Sequence, residues 1–199
     1  MPTIGVLALQ GDFEAHLDVF REIGADAREV RTADAMDAVD ALVIPGGESS
    51  TMLRILRREN LWDALAKFGS AKPVFGTCAG AILIATEVSH PVQDSFAFMD
   101  TSVIRNGYGR QIDSRIVNLE PEAPAKPIFG ESMEAVFIRA PIISRTGDDV
   151  EVLMRYNGDA VLVRQGKHLA ATFHPELTGE TRVHQYFVRS LANGAARTQ

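Results

Sequence analysis

The sequence predicts an α/β fold of three layers, in which helices flank a mostly parallel central sheet that carries antiparallel additions. In the first half, short apolar runs alternate with amphipathic stretches, which is typical of strands followed by helices. In the second half, short β-rich segments are separated by turn residues. A length of 199 residues and 46% hydrophobic content suit one domain over residues 1–199.

Four strands and four helices are expected in the first half. The apolar runs are continuous, as in parallel strands that are covered on both faces. The first helix is predicted over about residues 13–24, with Asp12 as its cap and Gly24 as its stop. The strands are "TIGVLAL", "AREV", "ALVIPGG" and "KPVFGT", and the later helices are "SSTMLRILRRE", "LWDALAKF" and "AGAILIATE".

The second half predicts antiparallel strands and one closing helix. That helix is expected over about residues 179–192, with an apolar stripe that includes Val183 and Phe187. The last residues, "NGAARTQ", are expected to be frayed. The predicted strands are "TSVIRN", "DSRIVNL", "EAVFIRA", "VEVLMRY", "AVLVRQG" and "HLAATFH".

The net charge and the cysteine content limit which partners the chain can bind and indicate in which compartment it lies. A net charge of −6 argues against a broad surface for nucleic acid or for an anionic membrane. A single cysteine cannot form an internal disulfide, so we expect a reducing compartment, the cytoplasm. The first apolar run is too short for a signal or membrane segment. No metal or cofactor is expected.

The only cysteine, Cys78, lies in the stretch Gly-Thr-Cys-Ala-Gly. This is the thiol version of the nucleophile elbow, a sharp turn from a strand into a helix that exposes its central side chain. The helix N-terminus favours a thiolate there. The alternative is a small buried apolar cysteine, but such a residue has no need of this turn.

His174 is the best candidate for the base that a cysteine nucleophile needs. It ends the run "LAATF" and is followed by Pro175 and Glu176. Side chains two positions apart in an extended segment point the same way, so Glu176 can orient the imidazole ring. Alone, "HPE" could be a simple turn before a helix. The other four histidines are read as structural or surface residues: His16, His90, His168 and His184.

An oxyanion hole is expected from backbone N–H groups. The N–H of Ala79, one residue past the cysteine, is one candidate donor. The loop after the third strand offers a second from Gly46 or Gly47, where glycine lets the backbone approach a substrate closely. The alternative is a plain strand-to-helix turn capped by Ser49 or Ser50.

Taken together, these residues resemble the class I glutamine amidotransferases, and within them the glutaminase subunits of pyridoxal 5′-phosphate synthase. The wider group shares "PGGES", "GTCAG" and "HPE". The subfamily is matched by "IGVLALQGDFEAH", "PGGESSTM", "FGTCAGAILIA", "RNGYGRQIDS", "VFIRAP" and "FHPELT", in order. The resemblance covers essentially the whole chain and implies the flavodoxin-like fold of class I glutaminases.

The resemblance implies that the chain hydrolyses L-glutamine and passes ammonia to a synthase partner within a large heteromeric complex. It implies Cys78 as nucleophile, His174 as base and then acid, and Glu176 as the orienting carboxylate. The glutamine contacts that it implies are Gly47, Glu48, Ser49, Arg105, Ile138 and Arg139. Gln10 matches a family position near the site. Residues 86–100 depart from the family pattern, with Phe96-Ala97-Phe98 in place of a Leu-Gly-Leu-like turn.

Three other functions remain open at this stage. A glutaminase could serve a synthase for histidine, purines or pyrimidines, although "RNGYGRQIDS" and "FIRAP" disfavour it. A stand-alone cysteine hydrolase or chaperone-like α/β protein would not release ammonia from glutamine. A binding module without catalysis would not be alkylated at Cys78 by a glutamine analogue.

Overall fold

The structure is a computed structural model that describes residues 2–106 and 114–195. The strands are β1 (Thr3–Leu7), β2 (Asp26–Val30), β3 (Ala41–Ile44), β4 (Val74–Thr77), β5 (Ala85–Ser89), β6 (Met99–Ile104), β7 (Arg115–Leu119), β8 (Met133–Phe137), β9 (Ile142–Thr146), β10 (Glu151–Tyr156), β11 (Asp159–Gln165) and β12 (His168–Ala171). The helices are α1 (Phe13–Glu22), α2 (Ala33–Asp37), α3 (Ser49–Arg58), α4 (Trp62–Ala71), α5 (Ala79–Ile84), α6 (Lys126–Phe129) and α7 (Arg182–Ala195).

The large sheet has a parallel half and a largely antiparallel half. Its strand order is β2-β1-β3-β4-β12-β11-β9-β6-β5, and β10 also pairs with β11. The pairs from β2 through β12 are all parallel. The sheet becomes antiparallel where β11 pairs with β12, as it does at the β11–β9 and β9–β6 pairs, and β7 with β8 forms a separate two-stranded sheet. This arrangement confirms the predicted α/β class.

Helices bury both faces of this sheet. Leu42 and Ile44 of β3 pack on one face with Met52 of α3 and Leu65 of α4. The intervening Val43 packs on the opposite face, where α1 and α7 supply Phe20 and Phe187. Because successive strand residues point to opposite faces, continuous apolar runs such as "ALVI" are what a three-layer fold requires. In the part of the chain that is described, no helix combines the length and apolarity of a membrane span.

Two boundaries differ from the sequence expectations. The helix predicted over "AGAILIATE" ends at Ile84, because residues 85–89 pair with β6 as strand β5. An unbroken apolar run carries no period that separates helix from strand, so tertiary pairing decides. The closing helix runs from Arg182 to Ala195 rather than over about residues 179–192, after a short turn at Pro175–Leu177. Residues 193–195, which were expected to be frayed, therefore belong to the helix. Helices α2 and α6 and strand β9 were not predicted.

Residues 86–100, which depart from the family pattern, contain most of strand β5 and two stacked aromatic rings. Phe96 stacks on Trp62 with ring centroids 4.1 Å apart and on Phe98 at 5.3 Å. Phe98 in turn stacks on His168 of β12 at 5.5 Å. This four-ring stack, Trp62–Phe96–Phe98–His168, fixes the segment against α4 and the sheet.

Candidate active site

The predicted nucleophile elbow is present at Cys78. Its backbone has φ 46° and ψ −101°, a left-handed conformation that is rare outside glycine, between the end of β4 and the start of α5. Its N–H donates to the carbonyl of Ala171 over 2.8 Å, which anchors the turn to β12. A Cβ atom on Gly80 would lie 2.0 Å from the carbonyl oxygen of Ile44, so only glycine allows α5 to begin this close to β3.

The register of β4 and β12 brings the histidine to the cysteine. Ala171 is paired with Thr77, the residue before Cys78, so the chain after β12 leaves the sheet beside the elbow. The His174 N–H donates to the carbonyl of Val136, which fixes the backbone of the histidine. Cys78 and His174 line the same pocket. Strand pairing therefore brings together residues that are almost one hundred positions apart.

The Glu176 carboxylate lies against the His174 ring. The His174 Nδ1 atom lies 2.7 Å from Glu176 Oε1, and both side chains are almost completely buried. Burial by itself lowers the pKa of His174, but hydrogen bonds to Cys78 and to Glu176 outweigh it and raise that pKa to about 10. Burial raises the pKa of Glu176, and its hydrogen bond to His174 opposes this shift. The imidazole can therefore hold a proton beside the sulfur at neutral pH.

The Pro-Gly-Gly loop lies against the histidine. A Cβ atom on Gly46 would lie 2.3 Å from His174 Cε1, and Gly47 has φ +141°, so each position excludes a side chain for its own reason. Gln10 holds this loop through long contacts, from its Nε2 to the Glu48 carbonyl at 3.5 Å and from the Glu48 N–H to its Oε1 at 3.4 Å. This placement gives Gln10 a physical role that the sequence did not supply.

One pocket collects the predicted residues. Every glutamine contact implied by the resemblance lines it, together with Cys78 and His174. Gly46 and Ala79 do not line it, although Gly46 touches the His174 ring and Ala79 is the first residue of α5. The first N–H groups of a helix have no acceptor within the helix, and Ala79 contributes the first of them in α5. Three lining residues were not predicted as site residues: Asp12, Ile82 and Asn106.

Charged groups in the pocket suit a small amino acid. The Arg105 guanidinium is mostly buried and donates to Glu48 Oε1 over 3.0 Å. Glu48 also accepts from the N–H and hydroxyl of Ser50, and this bonding lowers its pKa. Glu48, rather than Ser49 or Ser50, is thus the N-cap of α3. Arginine and carboxylate side chains are suitable partners for the carboxylate and ammonium of an amino acid.

Backbone groups near Arg139 complete the pocket wall. Arg139 has φ 43°, an unusual conformation for a residue other than glycine. The preceding carbonyl, of Ile138, lies 3.8 Å from the Cys78 sulfur. Ser49 is buried and its hydroxyl donates to Gln93 Oε1 over 2.9 Å, so residues 86–100 do reach the site through one side chain. The rest of "RNGYGRQIDS" beyond Asn106, except Ser114, lies outside the described residues.

Two of the histidines that were expected to be structural or surface residues form a buried pair next to Glu176. His16 and His184 are fully buried, and His16 contacts Glu176. Of the two alternatives for His16, a structural or a surface residue, its burial leaves only the structural one. A signal was present, because His16 occupies an apolar stripe with Phe13, Leu17 and Phe20 at helical spacing.

Asp12 also differs from its expected role. It flanks α1 but its side chain makes no capping hydrogen bond, and its Oδ2 lies 3.6 Å from His174 Nδ1. Ligand atoms of Asp12, His174 and Glu176 lie within 4.8 Å of one another, a spacing that could hold a cation. The His174 and Glu176 atoms already bind each other at 2.7 Å, so this group is better suited to orienting an imidazole.

The fold and this thiol–imidazole–carboxylate pocket define the class I glutamine amidotransferases. A crystal structure of a glutamine amidotransferase is 42% identical, with a TM-score of 0.86, over 96% of this chain and 99% of that one. A putative GMP synthase subunit from Thermoplasma acidophilum, 19% identical with a TM-score of 0.74, shares the fold over 100% of this chain and 98% of that one.

More particularly, the chain belongs to the SNO glutamine amidotransferase family, whose family model matches residues 6–193. Relatives named pyridoxal 5′-phosphate synthase subunit PdxT are similar over nearly their whole length. That of Solibacter usitatus is 52% identical over 96% of this chain and 100% of its own. That of Koribacter versatilis is 52% identical over 96% of each chain.

Proposed function

We propose that this chain is the glutaminase subunit of a pyridoxal 5′-phosphate synthase, which hydrolyses L-glutamine to L-glutamate and delivers the ammonia to a synthase subunit. The observation that carries the proposal is the single pocket in which Cys78 and His174 face Glu48, Arg105 and Arg139. The names of relatives at 52% identity and nearly full coverage support the choice of synthase. Assembly into a large heteromeric complex in the cytoplasm belongs to the same proposal.

Glutamine binds in this pocket through its α-carboxylate and α-ammonium groups. Arg105 and Arg139 pair with the carboxylate, and Glu48 pairs with the ammonium group. The side-chain amide then extends toward Cys78.

Catalysis proceeds through a thioester. The Cys78 sulfur attacks the amide carbon, and N–H groups of Gly47 and Ala79 stabilise the tetrahedral oxyanion; each such donor is worth about 3 kcal/mol of the barrier. His174, oriented by Glu176, gives its proton to the departing ammonia. The same ring then takes a proton from water, which hydrolyses the thioester and releases glutamate.

Docking of the synthase is proposed to complete the oxyanion hole. The Gly46-Gly47 loop is held by the long Gln10 contacts of 3.4 and 3.5 Å, and Gly47 is exposed. A weakly held glycine loop can reorient a peptide N–H at little cost. The isolated subunit is therefore expected to be slow, which would prevent wasteful release of ammonia.

A glutaminase assay with and without the cognate synthase tests this function. Wild type should release ammonia at least about tenfold faster with the synthase present. Cys78→Ala should release none in either case because no nucleophile remains. Equal rates for the lone subunit and the complex would contradict partner activation, and turnover by Cys78→Ala with the synthase present would contradict the thioester mechanism.

A further inference from the structure

A buried chain of two histidines continues behind the triad. His184 Nε2 lies 2.9 Å from His16 Nδ1, and His16 Nε2 lies 3.4 Å from Glu176 Oε2. His16 Nε2 also lies 3.1 Å from Thr77 Oγ1, the residue before the nucleophile. His16 comes from α1, Thr77 from β4 and His184 from α7, so three elements meet at the His16 ring, which lies next to the Glu176 carboxylate.

We propose that His16 and His184 are positioning residues, which hold the Glu176 carboxylate and through it the His174 ring against Cys78. The proposal rests on the function proposed above for the same site. It assigns a role to two polar rings that are fully buried between α1, α7 and the sheet. Burying a polar ring costs free energy unless it is hydrogen-bonded, so this placement calls for an explanation.

The assignment of donors and acceptors among these rings supports the positioning role of His16 and His184. Glu176 Oε1 is engaged with His174, whereas the buried Oε2 atom has no hydrogen-bond partner within 3.5 Å with suitable geometry among the described residues. His16 Nε2 lies 3.4 Å from this oxygen. If His16 carries its proton on Nε2, its Nδ1 is an acceptor and His184 Nε2 must donate to it. His184 Nδ1 then carries no proton and can only accept a hydrogen bond. That atom has no hydrogen-bond partner among the described residues.

The opposite polarity is less favourable. It would place a proton on His184 Nδ1, a buried donor without an acceptor, and would leave Glu176 Oε2 without a donor. Buried N–H groups without acceptors are rarer in proteins than under-satisfied acceptors. The donors therefore point in one direction: His184 Nε2–H donates to His16 Nδ1, and the His16 Nε2–H lies 3.1 Å from Thr77 Oγ1 and 3.4 Å from Glu176 Oε2.

Both histidines stay neutral, which suits positioning better than proton transfer. Burial holds the pKa of His184 at about 3, and burial with the neighbouring His184 and His174 holds the pKa of His16 well below its usual range. Phe20 and Phe75 pack edge-on against His184 at 5.0 and 5.9 Å, and they fix the ring from its apolar side. A neutral, immobile donor can fix a carboxylate without adding charge to the site.

The alkylation rate of Cys78 by iodoacetamide, measured against pH on the full chain, tests the proposal without any need for glutamine. Cys78 is the only thiol, so the signal has one source. In His16→Leu, Glu176 loses its donor and His174 its fixed partner, so alkylation near neutral pH should slow about tenfold or more. His16→Gln keeps an N–H near the Nε2 position and should recover most of the rate.

Several other ionisable groups face the sulfur and the imidazole, and they are unchanged in these variants. From the elements around the pocket they are Asp12, Glu48, Arg105, Arg139 and Glu176. His168→Gln is the matched control, because it removes another buried histidine that stacks on Phe98 rather than contacting the triad. Its alkylation profile should match that of wild type.

The outcomes separate the two proposals. Slowed alkylation in His16→Leu with recovery in His16→Gln supports positioning, even if the complex shows no glutaminase activity. Identical alkylation profiles for wild type and His16→Leu overturn the positioning role. Equal slowing of alkylation in His16→Leu and His16→Gln, with an equal loss of thermal stability, also overturns it. If His16→Leu does not fold, His184→Phe against His184→Gln gives the same comparison. In an active complex, the His16→Leu change should lower kcat about tenfold to a hundredfold and leave KM unchanged.

Discussion

Gly46 shows how a residue without a side chain can position a catalytic group. Its backbone lies so close to the imidazole that an added Cβ would be 2.3 Å from His174 Cε1 and 2.9 Å from Nδ1. The His174 ring cannot yield freely, because Glu176 holds its Nδ1 from the other direction. The loop thus limits the positions that the His174 ring can occupy, in addition to offering backbone N–H groups.

We predict that Gly46→Ala lowers glutaminase kcat about a hundredfold, because a displacement of the base by about 1 Å costs roughly that much. The substitution keeps the backbone N–H, so the loss reports on the ring. Gly179→Ala is the control, since its added Cβ would meet nothing within 4 Å. Near-normal kcat for Gly46→Ala, measured with the synthase present, would contradict this account of the loop.

Individual site residues were predictable where a local pattern encodes them. The glycines on either side of Cys78 predict its strained turn. The two-residue spacing of His174 and Glu176 predicts that their side chains lie together. His16 and His184 were not found, because their contact joins helices that are 168 positions apart. A histidine on an apolar stripe indicates burial, but it does not reveal the partner across the core.

Helix α4 contains a glycine whose role is packing. Gly69 is buried, and a Cβ there would lie 2.1 Å from Phe98 Cζ, at the centre of the four-ring stack. Replacing a helical glycine by alanine normally stabilises a helix by up to about 1 kcal/mol. Overpacking against a rigid ring costs about 1–3 kcal/mol, so the steric cost should exceed the helical gain.

We therefore predict that Gly69→Ala lowers the free energy of unfolding by about 1 kcal/mol or more, measured by urea denaturation. In a Phe98→Ala background the same change should become neutral or stabilising, because the ring that it meets is gone. A Gly69→Ala protein as stable as wild type would show that the stack does not constrain α4.

Element boundaries were predicted well where the pattern is periodic and less well where it is uniformly apolar. Helix α1 (Phe13–Glu22) and strand β2 (Asp26–Val30) lie where their sequences place them. Residues 79–89 are divided between α5 and β5, a division that depends on pairing with β6. That pairing is a tertiary interaction and leaves no local signal.

For the molecule as a whole, the buried histidines make stability depend on pH. The pKa of His168 is lowered to about 4 by burial and by Lys167, that of His184 to about 3 by burial, and that of His16 lies well below its usual range. These rings stay neutral in the folded chain but bind protons once unfolded, when their pKa returns to about 6.5. The contribution of these neutral rings to the free energy of unfolding is complete above about pH 6.5 and is lost as the pH falls below that value.

We predict that the free energy of unfolding decreases from pH 7 to about pH 5.5, by about 1 kcal/mol per pH unit for each of these histidines. His174 acts in the opposite direction near pH 7, because its raised pKa of about 10 keeps the folded ring protonated while the unfolded ring, with a pKa of about 6.5, has lost most of its proton. It therefore offsets part of the decrease above about pH 6. In His168→Gln, urea denaturation should show a slope that is smaller by roughly a third or more. His90→Gln, at an exposed position, should leave the slope unchanged. A flat pH dependence in wild type would contradict the assignment of neutral buried rings.

The architecture as a whole was the most predictable level, because alternating apolar runs and helices admit few arrangements. The parallel strands and the position of the elbow at the end of β4 followed from that alternation. The order of the antiparallel strands did not, since β11, β9 and β6 pair across intervening segments of chain. Their register depends on contacts that no single segment encodes.

The central claim is that one sulfur performs the chemistry in the pocket described here. It is tested most directly by incubating the full chain and its synthase with an electrophilic glutamine analogue and locating the adduct by mass spectrometry. We expect one adduct per chain, on Cys78, which L-glutamine suppresses and which is absent from Cys78→Ser. Inactivation with the analogue attached to another residue, and Cys78 unmodified, would contradict it.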